Sequence, residues 1–453
     1  MMNNLSVEAL ESLGIYELRN VARQVGVHLP TMYKKDELIK KIMAIVEGTE
    51  EPHIKKTNQG RPAKRISGLD EILNIFIPSI DDNQVYKKVE TKNQFYPFSL
   101  MQDVKILPDH IDPFSGYVKM LDKYAVVLKN AYFEGNNDTY YIRPNILQEL
   151  KLKNGDFVRG LYYDIDETKP KLVKNIEFIN GKDVESFKRY EPVDFDSLDA
   201  IYPTSQIELG KNPRSNIDLK VVDRVSPIAE GSRVIINYEN GVDIEEFLID
   251  LNNEISLTQN KKLTMFAVDE RPEDLSFVKS ECSALKVFNK KIELNDEMFY
   301  EQMSLLFDNL IRQTENNANQ IIIIKNAVKM ENFLTKYFVM SKNCSEQEAK
   351  ILAVDKMKNW FRTAKNTATG KALTIIMINC KNEELVELSN CQIFLKLFAH
   401  KGSDIHIDFE KSFTLKYNLI LGAEKSKKLQ EFRQNYDENN LIDNLTKLFA
   451  DGK

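Results

Sequence analysis

Charged residues that directly follow apolar runs are the side chains in this sequence best placed to do chemistry. Glu270 and Arg271 come just after the run at 263–268, and Lys325 directly follows the run at 320–324. If the runs are parallel strands, their carboxyl ends meet at one edge of a sheet, which is where such sheets bind ligands. Any ligand-binding chemistry of this sheet is therefore expected at this edge.

A second group of candidates combines aromatic rings with cations. Short β-prone runs between residues 108 and 180 carry these side chains, which are Lys123, Tyr124, Lys129, Tyr141 and Arg143. Aromatic rings stack on single-stranded bases and cations contact phosphates, so the group is a candidate RNA-binding platform. Alternating tyrosines are also typical of any half-buried strand, and that interpretation stays open.

A basic segment at residues 53–68, HIKKTNQGRPAKRISG, contains no acidic residue. Its five cations are Lys55, Lys56, Arg61, Lys64 and Arg65. A flexible segment of this composition contacts phosphates without folding, which favours a polyanion tether. A solvated spacer is the alternative.

The elements that position these residues predict a multi-domain α/β protein. Closely spaced short strands in 107–185 are typical of a small barrel of the OB or cold-shock type. From residue 190 to 453, apolar runs alternate with helical stretches, which predicts a doubly wound parallel sheet. Residues 1–47 predict a small helical module, because apolar residues recur at helical spacing, and 48–106 predict a basic linker.

Composition excludes several classes of protein. The 453 residues carry a net charge of −6 and 42% hydrophobic residues, as in an ordinary globular protein. No run approaches the roughly 18 apolar residues of a membrane span, and the N-terminus has no pattern of a signal peptide. Four scattered cysteines and five histidines form no ligand spacing, so we expect a cytoplasmic protein without a bound metal.

Three segments resemble the bacterial transcription termination factor Rho family. VSPIAEGSR at 225–233 resembles the lead-in to the Rho ATPase core, and FAVDERPED at 266–274 is similar to Rho's IDERPEE. YIRP at 141–144 resembles YVSP in the Rho barrel. The resemblance implies a RecA-like core behind an RNA-binding barrel, and single-stranded RNA as the ligand.

The resemblance also shows where this sequence departs from the family. Gly241 is followed by Val242 and Asp243, where the family has the lysine and threonine of its phosphate-binding loop. An acid at a helix N-terminus repels the phosphate that the helix dipole would attract. Lys325 stands where a magnesium-binding aspartate belongs, and residues 417–422 contain no arginine finger.

Glu270 and Arg271 occupy positions that resemble the family's water-activating and phosphate-sensing residues. Without a phosphate cradle beside them we expect these remnants to be structural, as a salt bridge at a subunit interface. The resulting prediction is a pseudo-ATPase with no catalytic residues, no cofactor and no bound ATP or magnesium.

Three functions remain open from the sequence. The first is an inactive Rho-like RNA-binding protein that modulates termination, with active Rho or RNA polymerase as candidate protein partners and a homo-oligomer as one candidate assembly. The second is a scaffold or decoy subunit of a Rho-type ring. The third is an active NTPase in which Lys325 contacts phosphate in place of the missing lysine.

Overall fold

A computed structural model gives the fold of the chain. The residues it describes are 15, 18–19, 21–22, 27, 30–46, 95, 111–135, 138–163, 170–190, 193–211, 215–259, 263–282, 285–291, 294–316, 318–397 and 404–450. They fall into two compact units, divided after residue 92. The five cations of the predicted polyanion tether lie outside the described residues, so the tether stays a prediction from the sequence. Element numbers below cover the described residues only.

The first unit contains helical pieces around residues 15–22, a 3₁₀ turn at Pro30–Met32 and helix α1, Lys35–Val46. Asp36 and Glu37 lie in the first turn of α1, where negative charge complements the helix dipole. The apolar residues that predicted this module form one buried cluster, with Leu18, Val21, Ala22, Leu38, Ile39, Ile42 and Ile45 among its members. Apolar residues that recur at helical spacing in the sequence thus share one core in this unit.

The second unit begins with a closed barrel of five strands. These are β1 (Ile111–Met120), β2 (Ala125–Leu128), β3 (Thr139–Ile142), β4 (Phe157–Tyr163) and β5 (Lys171–Ile179), with a short β6 (Lys182–Asp183) after them. Strand β1 pairs with β2 and β4, and β3 closes the barrel by pairing in parallel with β5. Helices α2 (Pro144–Leu150) and α3 (Val184–Tyr190) accompany the strands.

A mostly parallel sheet forms the rest of the unit. Its strands are β7 (Ala200–Ile201), β8 (Arg233–Tyr238), β9 (Leu263–Ala267), β10 (Lys286–Asn289), β11 (Gln320–Ile324), β12 (Lys365–Thr367), β13 (Ala372–Ile378), β14 (Cys391–Leu395) and β15 (Phe413–Thr414). The order β10-β9-β11-β13-β8-β14 is parallel throughout, and β15, β12 and β7 add antiparallel pairs.

Helices cover both faces of this sheet. They are α4 (Ile217–Val225), α5 (Ile244–Gln259), α6 (Pro272–Glu281), α7 (Asp296–Glu315), α8 (Ala327–Lys342), α9 (Glu346–Thr363), α10 (Glu383–Leu388), α11 (Tyr417–Gln434) and α12 (Leu441–Phe449). Alternate residues of β11 belong to two different clusters, Ile321 and Ile323 to one and Ile322 and Ile324 to the other. A strand buried on both faces is a near-continuous apolar run, which is the pattern that predicted the doubly wound sheet.

The barrel packs against helix α7 of the core. Asn309 donates from Nδ2 to the carbonyl oxygen of Gly155 at 2.7 Å. A Cβ on Gly155, whose φ is +83°, would lie 2.5 Å from the backbone nitrogen of Asn309. Glu301 of α7 accepts from the backbone N–H of Phe133 at 2.9 Å and pairs with Lys119. Because the glycine permits this close approach, the barrel and the core share one interface.

None of the helices in the described part of the chain combines the length and the apolar composition that crossing a bilayer requires.

Candidate functional site

The loop between β8 and α5 is short and held by its own hydrogen bonds. The backbone N–H of Glu239 donates to Leu395 O at 2.9 Å, and that of Val242 donates to Glu239 O at 3.3 Å. Asp243 then accepts from the backbone N–H of Glu246 at 3.0 Å through Oδ1. The side chain of Asp243 therefore caps the N-terminus of α5, where an anionic ligand would otherwise find unpaired amides.

Lys325 lies at the end of β11 with its side chain only 2% exposed. Its Nζ is 2.9 Å from Glu245 Oε1 and 3.2 Å from Glu270 Oε2. The two carboxylates come from the first turn of α5 and from the segment after β9. Glu270 and Lys325, both singled out from the sequence, thus lie next to each other.

Lys329, in the first turn of α8, completes this group, which we call the strand-end cluster: Glu245, Glu270, Lys325 and Lys329. Lys329 Nζ lies 3.1 Å from Glu270 Oε1 and donates to Asp269 O at 2.8 Å. Lys329 was not among the site residues predicted from the sequence. Its position four residues after Lys325 nevertheless brings both cations towards one carboxylate. Two carboxylates and two ammonium groups leave the cluster without net charge.

Proton affinities in the cluster follow from burial and charge. Burial alone would lower the pKa of Lys325, but the hydrogen bonds and negative charges of Glu245 and Glu270 outweigh it and raise the pKa above its ordinary value. For the Tyr238 hydroxyl, whose charged form is an anion, burial raises the pKa, and the negative charges of Glu245 and Glu270 raise it further. Lys325 is therefore a charged group at neutral pH.

Arg271 does not join the cluster. Its Nε lies 2.7 Å from Asp274 Oδ2, and its side chain is 70% exposed. Carboxylate oxygens of Glu245, Glu270 and Asp274 lie within 4.8 Å of one another, but each of these residues already pairs with a cation of the chain. Glu270 and Arg271 both form ion pairs within the chain, and a salt bridge across a subunit interface stays a prediction.

The barrel residues chosen from the sequence are not all brought together. Ala125, the first residue of β2, pairs with Ile142, the last residue of β3. Tyr124 and Arg143 therefore lie at the same end of the two strands, and Lys123 is next to Tyr124. Lys129 follows the other end of β2 and lies 3.3 Å from Asp138. Tyr124 and the four residues of β2 separate the two lysines, roughly 20 Å along an extended chain.

Tyr141 is completely buried. It belongs to the same apolar cluster as Val126 of β2 and Met303 of α7, and its ring stacks on that of the half-buried Tyr124 with centroids 6.1 Å apart. A ring covered in this way offers no free face to a base. The outer face of β2 and β3 is thus part of the interface between the barrel and the core.

Comparisons with known proteins give a consistent relationship. No protein-family model matches the chain. Transcription termination factor Rho of Borreliella burgdorferi is 25% identical over 356 residues, which cover 73% of this chain and 67% of that protein. Rho of Bacillus subtilis is 23% identical over 320 residues, 68% of this chain and 74% of that protein. The sequence similarity supports a Rho-like family for this chain.

Solved structures give a weaker likeness. A type III secretion system ATPase covers 51% of this chain, with 71% of its own length aligned, at 11% identity and a TM-score of 0.41. An ATP synthase subunit, NeqB of Nanoarcheaum equitans, covers 53% of this chain, with 64% of its own length aligned, at 13% identity and a TM-score of 0.40. Likenesses of this size say nothing about activity.

Proposed function

We propose that this protein is a Rho-like RNA-binding protein that modulates transcription termination without significant ATP hydrolysis of its own. The similarity to Rho sequences supports the RNA-binding and termination part of the proposal. The buried ammonium group of Lys325, held between Glu245 and Glu270, carries the catalytically silent part. A RecA-like ancestry of the core is part of the same proposal.

The charge at the strand ends is unsuited to magnesium and triphosphate. Lys325 stands where a metal-binding carboxylate is needed, and a second cation would be repelled by its ammonium group. Asp243 caps the helix N-terminus that would receive a phosphate. No Gly-Lys pair anywhere in the sequence is followed by serine or threonine, as a phosphate-binding loop requires.

Loss of several such groups leaves little catalysis. Removing one preorganised electrostatic group typically lowers kcat by about 10²–10³. The alternative in which Lys325 contacts phosphate itself requires this side chain to leave both carboxylates. Leaving Glu245 and Glu270 without their cation would be strongly unfavourable, because uncompensated charge would remain in a largely buried place.

Thermal unfolding with and without excess Mg-ATP tests the silent part of the proposal. A ligand at about 100 times its Kd adds ~2.7 kcal/mol to the free energy of unfolding, which is easily detected. We expect no shift in Tm and no phosphate release, with or without RNA. A Tm increase that disappears in Lys325→Ala would instead establish the atypical NTPase.

Fluorescence anisotropy of a labelled single-stranded RNA, titrated across a salt series, tests the RNA part. We expect binding that weakens steeply with salt, because cations of the protein displace counterions from the RNA. Addition of the protein to a termination reaction driven by active Rho should then change the yield of terminated transcripts. Absence of RNA binding even at low salt would contradict the proposal and leave a role in protein contacts.

A further inference from the structure

A groove of about 300 Å³ opens between the barrel and the core. On the barrel side it is lined by Tyr117, Phe157 and Lys182, and on the core side by Lys286 and Asn316. The two rings pack edge to face with centroids 5.0 Å apart. Aromatic surface between two lysines is the combination that accepts a base together with its phosphates.

Asn316 gives the groove an unsatisfied hydrogen-bond acceptor. Its Nδ2–H donates to Arg312 O at 2.9 Å, which fixes the orientation of the amide. Oδ1 of the same amide is buried and has no hydrogen-bond partner among the described residues. Because a buried acceptor without a partner is costly, a small rotation of this side chain that brings Oδ1 to the groove surface would let it accept from an N–H donor there.

The outer face of β4 continues from the groove. Phe157 and Arg159 are two residues apart on this strand, so their side chains point to the same face. The Arg159 guanidinium lies over the ring of Phe178 on β5, 4.4 Å from its centroid. A guanidinium stacked on one ring keeps its other planar face for a base or a phosphate.

Among the described residues, those that line the groove include two lysines and no acidic residue. Glu177 is exposed beside Phe178 on β5. The carboxylate of Asp183 accepts from the backbone N–H of Ser186 at 2.8 Å and so caps α3. The described lining of the groove itself is therefore basic, and Arg159 adds a third cation on the adjoining strand.

We propose that this groove binds a base of single-stranded RNA, with the RNA backbone running along β4 past Arg159. The inference deepens the proposed function and rests on it, because it names where RNA binds once RNA binding is granted. Asn316 Oδ1 accepts an amino or imino N–H of the base, Phe157 packs against the base, and Lys182 and Lys286 contact the flanking phosphates. The face around Tyr141 is not the binding surface, since the core covers it.

The double variant Lys182→Ala/Lys286→Ala tests the phosphate contacts. Each lost contact to single-stranded RNA lowers the slope of log affinity against log salt by about 0.7, so we expect a decrease of about 1.4. The matched control, Lys427→Ala/Lys447→Ala on α11 and α12, removes the same charge from exposed positions and should leave the slope unchanged. Equal slopes for the two double variants would overturn the inference.

Asn316→Ala tests recognition of a base. We expect RNA to bind about threefold to tenfold more weakly, as for one lost hydrogen bond. Inorganic polyphosphate, which has phosphates but no bases, should compete equally well with wild type and variant in the same assay. Circular dichroism and Tm identify any variant that fails to fold, and Arg159→Ala, at an exposed position, then provides an independent second test with the same expected weakening.

The outcomes separate the two proposals. If wild-type protein binds RNA and none of these variants weakens binding, RNA binds elsewhere and the inference is wrong while the proposed function stands. If Lys123→Ala/Lys129→Ala weakens binding instead, the face chosen from the sequence is the binding surface. If wild-type protein binds no RNA, the proposed function itself fails.

Discussion

The strand-end cluster and the barrel–core groove are both polar sites in one compact unit, but they handle their polar groups in opposite ways. In the cluster, the ammonium group of Lys325 lies within 3.2 Å of two carboxylates of the same chain. In the groove, a buried carbonyl oxygen of Asn316 has no partner among the described residues. Lys325 Nζ and Glu270 Oε1 are also buried without a well-formed hydrogen bond among the described residues, but their charges are paired within the chain. The two sites thus differ in charge pairing rather than in hydrogen bonding.

This difference shows why charged residues at a strand end do not by themselves indicate catalysis. Carboxylates and cations at the cluster neutralise one another, so their interaction energy contributes to folding. The groove is lined by two aromatic rings and two lysines and, among the described lining residues, by no carboxylate. Substitutions should therefore affect stability at the cluster and RNA affinity at the groove.

Lys325→Met should produce the largest loss of stability. Breaking a buried ion pair by removing one partner typically costs 3–5 kcal/mol, because the other charge stays buried without compensation. We expect a decrease near the lower end, about 3 kcal/mol, since Lys329 still contacts Glu270. Urea unfolding measures the change, and RNA affinity of the folded variant should be unaltered.

Two further variants sharpen this test. Lys325→Met/Glu245→Gln/Glu270→Gln removes the uncompensated charges and should recover most of the lost stability, as replacement of a whole buried ion pair is often neutral. Lys329→Ala, whose side chain is 35% exposed, should cost less than about 1 kcal/mol. A Lys325→Met protein as stable as wild type would show that the cluster is not a buried ion-pair site.

Gly155→Ala should disturb the groove without touching the cluster. The added methyl group would meet the backbone of Asn309 at 2.5 Å, and overpacking of this kind costs about 1–3 kcal/mol. Gly181→Ala is the matched control, because Gly181 has a similar φ of +85° with no atom within 4 Å. We expect Gly155→Ala to unfold at lower urea than the control, and equal midpoints would place the barrel–core contact elsewhere.

Local patterns were sufficient to predict much of the fold. The apolar runs at 263–268 and 320–324 correspond to β9 and β11, two central strands of the parallel sheet. Strands buried on both faces need uninterrupted apolar side chains, which a sequence displays directly. Strands β5 and β14 were not predicted, because polar residues such as Lys174 and Gln392 interrupt their apolar runs.

The sites were harder to predict than the strands. Because both residues follow strands, Glu270 and Lys325 were expected at the same edge of the sheet. Nothing in the sequence predicted that their side chains pair directly. Nothing local indicates that Tyr141 is covered, since burial comes from α7, more than 150 residues later in the chain. The groove was missed for the same reason, because Phe157 and Asn316 meet only through the packing of the barrel on the core.

Asp243→Ala tests the cap of α5 with a smaller effect. Loss of an N-cap side chain costs about 1 kcal/mol, so Tm should fall modestly. Asp243→Asn keeps an acceptor oxygen without the charge and should retain nearly all of the stability. If neither variant gains a Tm shift with Mg-ATP, the charge of Asp243 alone is not what keeps phosphate out.

The pH dependence of the cluster gives the finest test of the comparison. The pKa of Lys325 is raised in the folded protein above its ordinary value of 10.5, so the folded state holds this proton more tightly than the unfolded state. The stabilisation is fully present below pH 10.5 and is lost as pH rises through the folded pKa. The difference in unfolding free energy between wild type and Lys325→Met should therefore stay constant from pH 7 to about pH 10 and shrink above it. A difference that already shrinks between pH 7 and pH 9 would mean that the carboxylates do not hold Lys325 in its charged form.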